Sequence, residues 1–514
     1  MHGGRIPRFG GSSSGDNGGD SGAGPAYGRR MDDGRTPLRA GVEEVLWPLV
    51  EGFLAANEAA GLAVAVVHDG DVVARGFGVR DAGTGAEVTP ETVFHLASVS
   101  KPFVATAVVS LAGPRAGAQP ALDLDAPITA WVPELSLADG RAAEVTARGL
   151  LTHTSGLPDV SDYGWHDPQL GDEALSDFAR SLSGWRLKTD PGTAFSYSNA
   201  GYELLGLLLS RVTGTTFEEA VRHVVLEPLG MRDSTFLRAD VPAHLAASPH
   251  VGMPPAVPAG AYPYTRRHAP SSSLHSTVVE VSRWIAAHLE PTVLSPSLLA
   301  QMWEPAIEVG GPPWDEQQAL GWAIGNYRGH RLLGHSGADP GFGSRLVVVP
   351  GLRTGVVVLA NSNTVPASLI CQAALDLVIG GRDDEAEGGA ALRSLLPPVV
   401  GPVARVLASS GEEAAMATFH ELATAEPASY DLDDEGFVDA VWGAIELHRT
   451  EMAWPLLRLW TSLRPESSDA WTMTGWAHSV DGDLEQAQTL LQRALDLDPE
   501  HEDAALILGN LPTV

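Results

Sequence analysis

Strand signals crowd into two places far apart in this chain, and that separation constrains the fold more than any other feature. Early on, LAVAVVHDGDVVARGFGV reads as two short runs rich in valine around the turn Asp69-Gly70-Asp71. Much later, LGWAIGNY, HRLLGHSG, SRLVVVP and TGVVVLAN follow one another closely, as in an antiparallel meander. The stretch from about 95 to 300 carries helix and loop patterns instead. An isolated hairpin is barely stable in water, so the early pair is expected to join the late strands in one sheet. The expected class is α/β in the α+β sense. It has an antiparallel sheet built from both ends of the domain, helices on both faces, and a helical cluster inserted between. The apolar run VEEVLWPLVEGFLAANEA from Val42 supplies one flanking helix, bent or delayed at Pro48. VPASLICQAALDLVIGG supplies another and holds the single cysteine, Cys371, which reads as a small core hydrophobe and excludes an internal disulfide.

Around this unit the composition changes. Residues 1–38 are Gly/Ser-rich and nearly free of large apolar side chains, so a disordered tail is expected before the folded domain at 39–381. RDDEAEGGA opens a linker at 382–400, and residues 401–514 read as all helix. A chain of 514 residues exceeds one ordinary core, which agrees with at least two folded units. The net charge of -31 argues against nucleic acid and against anionic membrane surfaces. Residues 381–514 hold 25 acids against seven arginines, a solvated surface first and a partner site second. No apolar stretch approaches 18 residues, so no membrane span is expected. The N-terminus lacks the apolar core of a signal peptide, and the chain reads as cytoplasmic.

The chemistry starts from a compositional oddity. Only two of the 33 basic residues are lysines, Lys101 and Lys188. Lys101 stands in FHLASVSKPFVATAVVSLAG, three residues after Ser98, where an apolar helix begins. Three residues is nearly one helical turn, so both side chains project from one face. A lysine beside an apolar wall loses hydration and holds its proton less tightly, so its neutral amine can take the serine proton. Arginine cannot release a proton at any accessible pH. The bland alternative is a chance pairing.

FSYSNAGY places Tyr197 and Asn199 on one short loop, a phenol to relay a proton and an amide to hold a carbonyl. The alternative is a tyrosine packed on the core and an asparagine capping GYELLGLLLSRV. His335-Ser336-Gly337 ends the predicted strand HRLLGHSG. H-x-G occurs four times here, so its position carries the information. A glycine on a strand lining a pocket admits a substrate backbone. G-x-S-x-G occurs at Gly11–Gly15, inside the expected tail and without a strand before it. The 17 histidines form no H-E-x-x-H motif, so neither metal nor cofactor is expected.

In this order, S-x-x-K, Y-x-N and H-x-G resemble the serine β-lactamase and penicillin-binding-protein superfamily, over roughly 42–380. LLTHTSGLP and SSSLHSTVVEVSRWIA, the latter expected as the helix before the last strands, extend the resemblance. Within the superfamily the motifs look like class C-like DD-carboxypeptidases, D-aminopeptidases, esterases and acyltransferases. True class C β-lactamases carry Lys-Thr-Gly where this chain has His-Ser-Gly, which favours a peptidase, esterase or transacylase. The resemblance implies a β-lactamase/transpeptidase-like fold with Ser98 as the acylated nucleophile, Lys101 as its base and Tyr197 assisting proton transfer. It further implies Asn199 on the substrate's acyl amide, and His335 polarising the tyrosine or binding a carboxylate. The backbone amides of Ser98 and Ala338 would form the oxyanion hole. By the same analogy HTSGLPDVSDYGWHDP borders the cleft, with Tyr163 and Trp165 as an apolar wall or as ordinary loop packing. Arg266 and Arg267 could meet a carboxylate or be solvated. The implied substrate is a small-molecule or peptide-like acyl compound.

Residues 470–500, AWTMTGWAHSVDGDLEQAQTLLQRALDLDPE, resemble a tetratricopeptide repeat. Trp442, Ala453, Leu457, Leu463 and Pro465 precede Trp476, Ala487, Leu491, Leu497 and Pro499 by 34 residues each. GEEAAMATFHELATAEP could form a third helix pair. Two to three repeats are few for a free-standing solenoid, so residues 401–514 are expected to serve packing, homo-oligomerisation or a protein partner, leaving the serine machinery complete without them. The competing reading is a binding scaffold on a catalytically silent hydrolase fold, and a third is a true β-lactamase.

Overall fold

A computed structural model describes residues 37–57, 59–113, 122–290, 295–311, 315–380, 392, 395–425, 427 and 429–511. The expected tail, the Gly11–Gly15 motif and most of the expected linker lie outside the described residues. The early strands are β1 (Gly61–His68) and β2 (Asp71–Asp81), joined at Asp69 and Gly70. Both of these residues have positive φ, 49° and 87°, as the tight hairpin turn that matches strand twist requires. β3 (Ala86–Glu87) extends β2. The late meander comprises β6 (Ile307–Glu308), β7 (Gln317–Gln318), β8 (Ala323–Tyr327), β9 (His330–Asp339), β10 (Phe342–Val349) and β11 (Thr354–Ala360). All nine form one antiparallel sheet in the order β3-β2-β1-β11-β10-β9-β8-β7-β6. The two ends of the domain meet where β1 pairs with β11, from Leu62 opposite Ala360 to His68 opposite Thr354. A separate two-stranded ladder joins β4 (Phe94–His95) to β5 (His275–Ser276).

Side-chain alternation splits the core across the sheet. Leu62, Val64 and Val66 of β1 pack with Trp47, Val50 and Phe53 of helix α1 (Trp47–Asn57), and with Leu369, Ile370 and Cys371 of α5 (Ala367–Ile379). Ala63, Ala65 and Val67 face the inserted cluster, whose main helices are α2 (Ser100–Ala112), α3 (Asn199–Thr213) and α4 (Val278–Leu289). Pro48 leaves its mark just before α1. Residues Val42–Leu46 take wider π-type turns, where a residue without an N–H interrupts the regular ladder. Trp284 of α4 stacks between Phe103 and Trp322, with ring centroids 4.2 and 5.2 Å away. SSSLHSTVVEVSRWIA differs from one continuous helix. Its first residues end a short helix and form β5, and Thr277 then caps α4 by accepting the Glu280 N–H.

The C-terminal region is helical, as α6 (Val400–Ser410), α7 (Glu412–Ala423), α8 (Glu435–Glu446), α9 (Thr450–Leu463), α10 (Ser468–Val480), α11 (Leu484–Leu497) and α12 (Glu502–Asn510). Its interior holds Phe437 stacked on Trp460 at 5.3 Å, with Ala453, Leu457, Ala487 and Leu491 buried. Among the described residues no helix is long and apolar enough to cross a membrane.

Candidate active site

Ser98 lies in the single 3-10 turn Ala97–Val99 that leads into α2. Ala97 holds a left-handed backbone, φ 47°, a strained conformation for a residue with a Cβ and one that concentrates at functional sites. From Thr92 to Ser100 every residue is buried except Ser98, which keeps part of its surface open. Lys101 is fully buried. Its Nζ donates to Ser98 Oγ at 2.8 Å and to the Ser271 carbonyl at 2.9 Å. Burial lowers this amine from 10.5 to about 8, against the opposing pull of Glu203, Asp159 and Asp339.

Tyr197 donates its hydroxyl to the same Ser98 Oγ, at 3.1 Å. Burial holds the phenol well above its ordinary pKa, so it stays protonated while Lys101 is the group that can shed a proton near neutrality. The Tyr197 ring stacks on His153, centroids 4.3 Å apart, and His153 Nδ1 accepts the Ser198 N–H at 3.1 Å. His153 has φ 54°, and burial together with Lys101 and His335 keeps it neutral.

Asn199 is the first residue of α3, and Ser198 takes the capping role by accepting the Gly201 N–H. The Asn199 amide nitrogen Nδ2 donates to Asp159 Oδ2 at 3.1 Å, and its backbone N–H to Oδ1 at 2.6 Å. Asp159 therefore fixes the Tyr197–Asn199 loop from the 157–166 segment.

His335, Gly337 and Asp339 of β9 are buried, whereas Ser336 and Ala338 are exposed. β8 pairs with β9 only from His330 to Gly334, which leaves His335 to Asp339 beyond that ladder. His335 Nδ1 donates to the Ser336 carbonyl at 2.6 Å, and burial drives its pKa down to about 3. A neutral imidazole makes a poor carboxylate clamp. Gly337 corrects the expectation that its missing side chain admits a substrate. A Cβ there would lie 2.6 Å from the Leu96 carbonyl and 2.9 Å from the Ser98 nitrogen, so the chain's own Ser98 turn occupies that space. Ser344 Oγ donates to the same Leu96 carbonyl at 2.7 Å.

Arg266 is committed to Glu218, at 2.7 and 3.0 Å, and to Asp172, while Arg267 reaches Ser181 and lies over the Phe178 ring. Arg266 is therefore not available as a carboxylate receptor, whereas the Arg267 Nε makes no hydrogen bond among the described residues. Tyr163 and Trp165 are buried against each other at 4.7 Å.

The profile of the family described as Beta-lactamase matches residues 48–378. The chain belongs to the Beta-lactamase family. This family groups serine hydrolases on the present fold. The chain is 32% identical over 317 residues to penicillin-binding protein 4 of Amycolatopsis lactamdurans, covering 59% of this chain and 80% of that one. It is 28% identical over 320 residues to protein flp of Staphylococcus aureus (strain MW2), spanning 62% of each. Among solved structures, the octameric penicillin-binding protein homologue from Pyrococcus abyssi is similar at 27% identity and TM-score 0.59, covering 71% of this chain and 81% of that one.

Sequence reasoning missed several polar partners within this Beta-lactamase fold. His95 Nε2 meets Asp339 Oδ2 at 2.6 Å with both buried. Burial pushes Asp339 up and His95 down to about 3, so the pair is neutral and ties β4 to the end of β9. His268 Nδ1 meets Glu203 Oε1 at 3.2 Å. The motifs alone carried no signal for these long-range pairs.

Proposed function

We propose that this chain is a serine acyl hydrolase or acyltransferase working through a covalent Ser98 ester. The observation that carries the reading is one oxygen, Ser98 Oγ, receiving hydrogen bonds from a buried lysine of lowered pKa and from a protonated tyrosine. Neutral Lys101 takes the serine proton as Oγ attacks the acyl carbon. The backbone N–H groups of Ser98 and Ala338 receive the developing oxyanion, a donor typically contributing about 3–4 kcal/mol. As the tetrahedral adduct collapses, the Lys101 proton passes along the Tyr197 hydroxyl to the leaving alcohol or amine. An incoming water, alcohol or amine then gives its proton back along the same route, attacks the ester and releases Ser98.

The neutral His335 and the engaged Arg266 support substrates without a carboxylate beside the scissile bond. That favours an esterase, amidase or transacylase over an efficient β-lactamase. The complete Ser98–Lys101–Tyr197 set argues against a silent scaffold. Residues 401–514 are read as a tetratricopeptide-like domain, on the 34-residue spacing from Trp442 to Trp476 and the matching burial of Ala453 with Ala487 and Leu457 with Leu491. Product analysis with an activated ester in the presence of mixed amines and alcohols tests transfer. Mixed acyl products support it, and hydrolysis alone across a broad panel overturns the transfer arm.

A further inference from the structure

Among the described residues the C-terminal helical region touches the catalytic unit at the 157–166 segment, at the 249–260 loop and at the end of β9, and the first and last of these lead directly to the surroundings of Ser98. The first is the 157–166 segment, which carries Asp159 and so holds Asn199. Its His166 ring stacks on His448, with centroids 3.8 Å apart and planes 18° from parallel. The second is the 249–260 loop. Arg449 Nη2 donates to the Ala259 carbonyl at 2.9 Å, and the Met452 methyl lies 3.8 Å from where a Cβ on Gly252 would be. The third is the end of β9. A Cβ on Gly443 of α8 would lie 2.8 Å from Val251 Cγ1 and 3.6 Å from Pro340 Cα, one residue beyond Asp339. Glu446, one turn after Gly443, is half-buried. Burial raises its carboxyl above the usual carboxylate range.

The turn between α8 and α9 is itself informative. His448 has φ 54°, a conformation that favours glycine. The backbone alone would be better served without a side chain, yet this position carries an imidazole whose ring is committed to His166. We propose that the α8–α9 turn, residues 446–452, is a wall of the acyl-substrate cleft, and that His448 is a positioning residue that sets substrate selection by fixing the 157–166 segment through His166. This rests on the reading of Ser98 as the acylated nucleophile. It also revises the expectation that residues 401–514 leave the catalytic unit complete when removed, because the wall of the site would go with them.

The test uses the full chain and nitrophenyl esters from acetyl to decanoyl, scored as the ratio of kcat/KM for the long acyl group to that for acetyl. His448→Gly removes the ring at a backbone position glycine accepts, so the variant is expected to keep or raise its Tm. Its ratio should change at least fivefold, while His448→Phe, which keeps a stacking ring, should stay within twofold of wild type. His166→Ala approaches the same contact from the other side. It should change the ratio in the same direction, and the double variant should change it no further than either single one. A ratio within twofold of wild type in both His448→Gly and His166→Ala overturns the wall, as does a His448→Phe variant that behaves like His448→Gly. Ser98→Ala run alongside separates the two claims, since turnover surviving in that variant would remove the nucleophile assignment, whatever the ratios.

Discussion

Replacing Lys101 by methionine should abolish turnover and at the same time stabilise the fold, because the catalytic amine is held where its charge is costly. Burial lowers its pKa from 10.5 to about 8. At roughly 1.4 kcal/mol per pH unit, keeping the proton on the buried amine costs about 3 kcal/mol at pH 7 relative to the unfolded chain. The sign follows from proton counts. Between pH 8 and 10.5 the unfolded chain holds this proton and the folded chain does not, so stability from this group rises with pH through that window. Below pH 8 both states are protonated and the penalty is present in full. Methionine fills a similar volume without charge, but it withdraws the donor to the Ser271 carbonyl at 2.9 Å, a loss of about 1–3 kcal/mol. The variant should therefore be more stable at pH 7 by up to about 2 kcal/mol. The pH dependence is more diagnostic than the sum, since the advantage should shrink by about 1 kcal/mol between pH 7 and pH 9. Chemical denaturation followed by near-UV circular dichroism, to which the buried Trp284–Trp322 stack contributes, gives the comparison at each pH. An equal difference at pH 7 and pH 9, or a variant less stable at pH 7, would refute the reasoning that this proton is loosely held.

Three further outcomes follow from the same geometry. Lys101→Arg should be nearly as inactive on nitrophenyl acetate as Lys101→Ala while remaining folded, since the role needs a removable proton; substantial turnover by the arginine variant would count against it. In wild type, kcat/KM should climb with pH and level off above about 8 as Lys101 becomes neutral, with no fall until well into the alkaline range because Tyr197 stays protonated; a profile flat from pH 6 to 9 would contradict the base assignment. Gly337→Ala forces a Cβ against two backbone atoms of the nucleophile turn and should lower kcat about 100-fold or more at retained secondary structure, whereas near-normal kcat would show that β9 does not help set the oxyanion geometry.

The six longer strands of the sheet were legible in the sequence because their apolar runs crowd at the two ends of the domain, whereas the two-residue strands β3, β6 and β7 are too short to leave a pattern. Ser98, Lys101 and Tyr197 were legible because two of them share one helical turn and the third stands in a recognisable loop. Gly337 was singled out for a close approach by a substrate backbone, and the structure shows a close approach by the Ser98 turn instead. Asp159 and Asp339 look like ordinary loop and turn acids. Each becomes informative only when folding brings it to a partner 40 or 244 residues away, Asn199 and His95 respectively. The same holds for His448, whose contact with His166 joins two segments that no local pattern connects.

The central claim is most directly tested by intact-mass spectrometry of the full chain after brief exposure to a fluorophosphonate, followed by peptide mapping. The account predicts one added phosphonyl group, located on the peptide containing Ser98, present in wild type and absent from Ser98→Ala. It also predicts slower labelling as pH falls below about 8, where Lys101 holds its proton. Equal labelling of wild type and Ser98→Ala, or modification mapped to another residue, would contradict it.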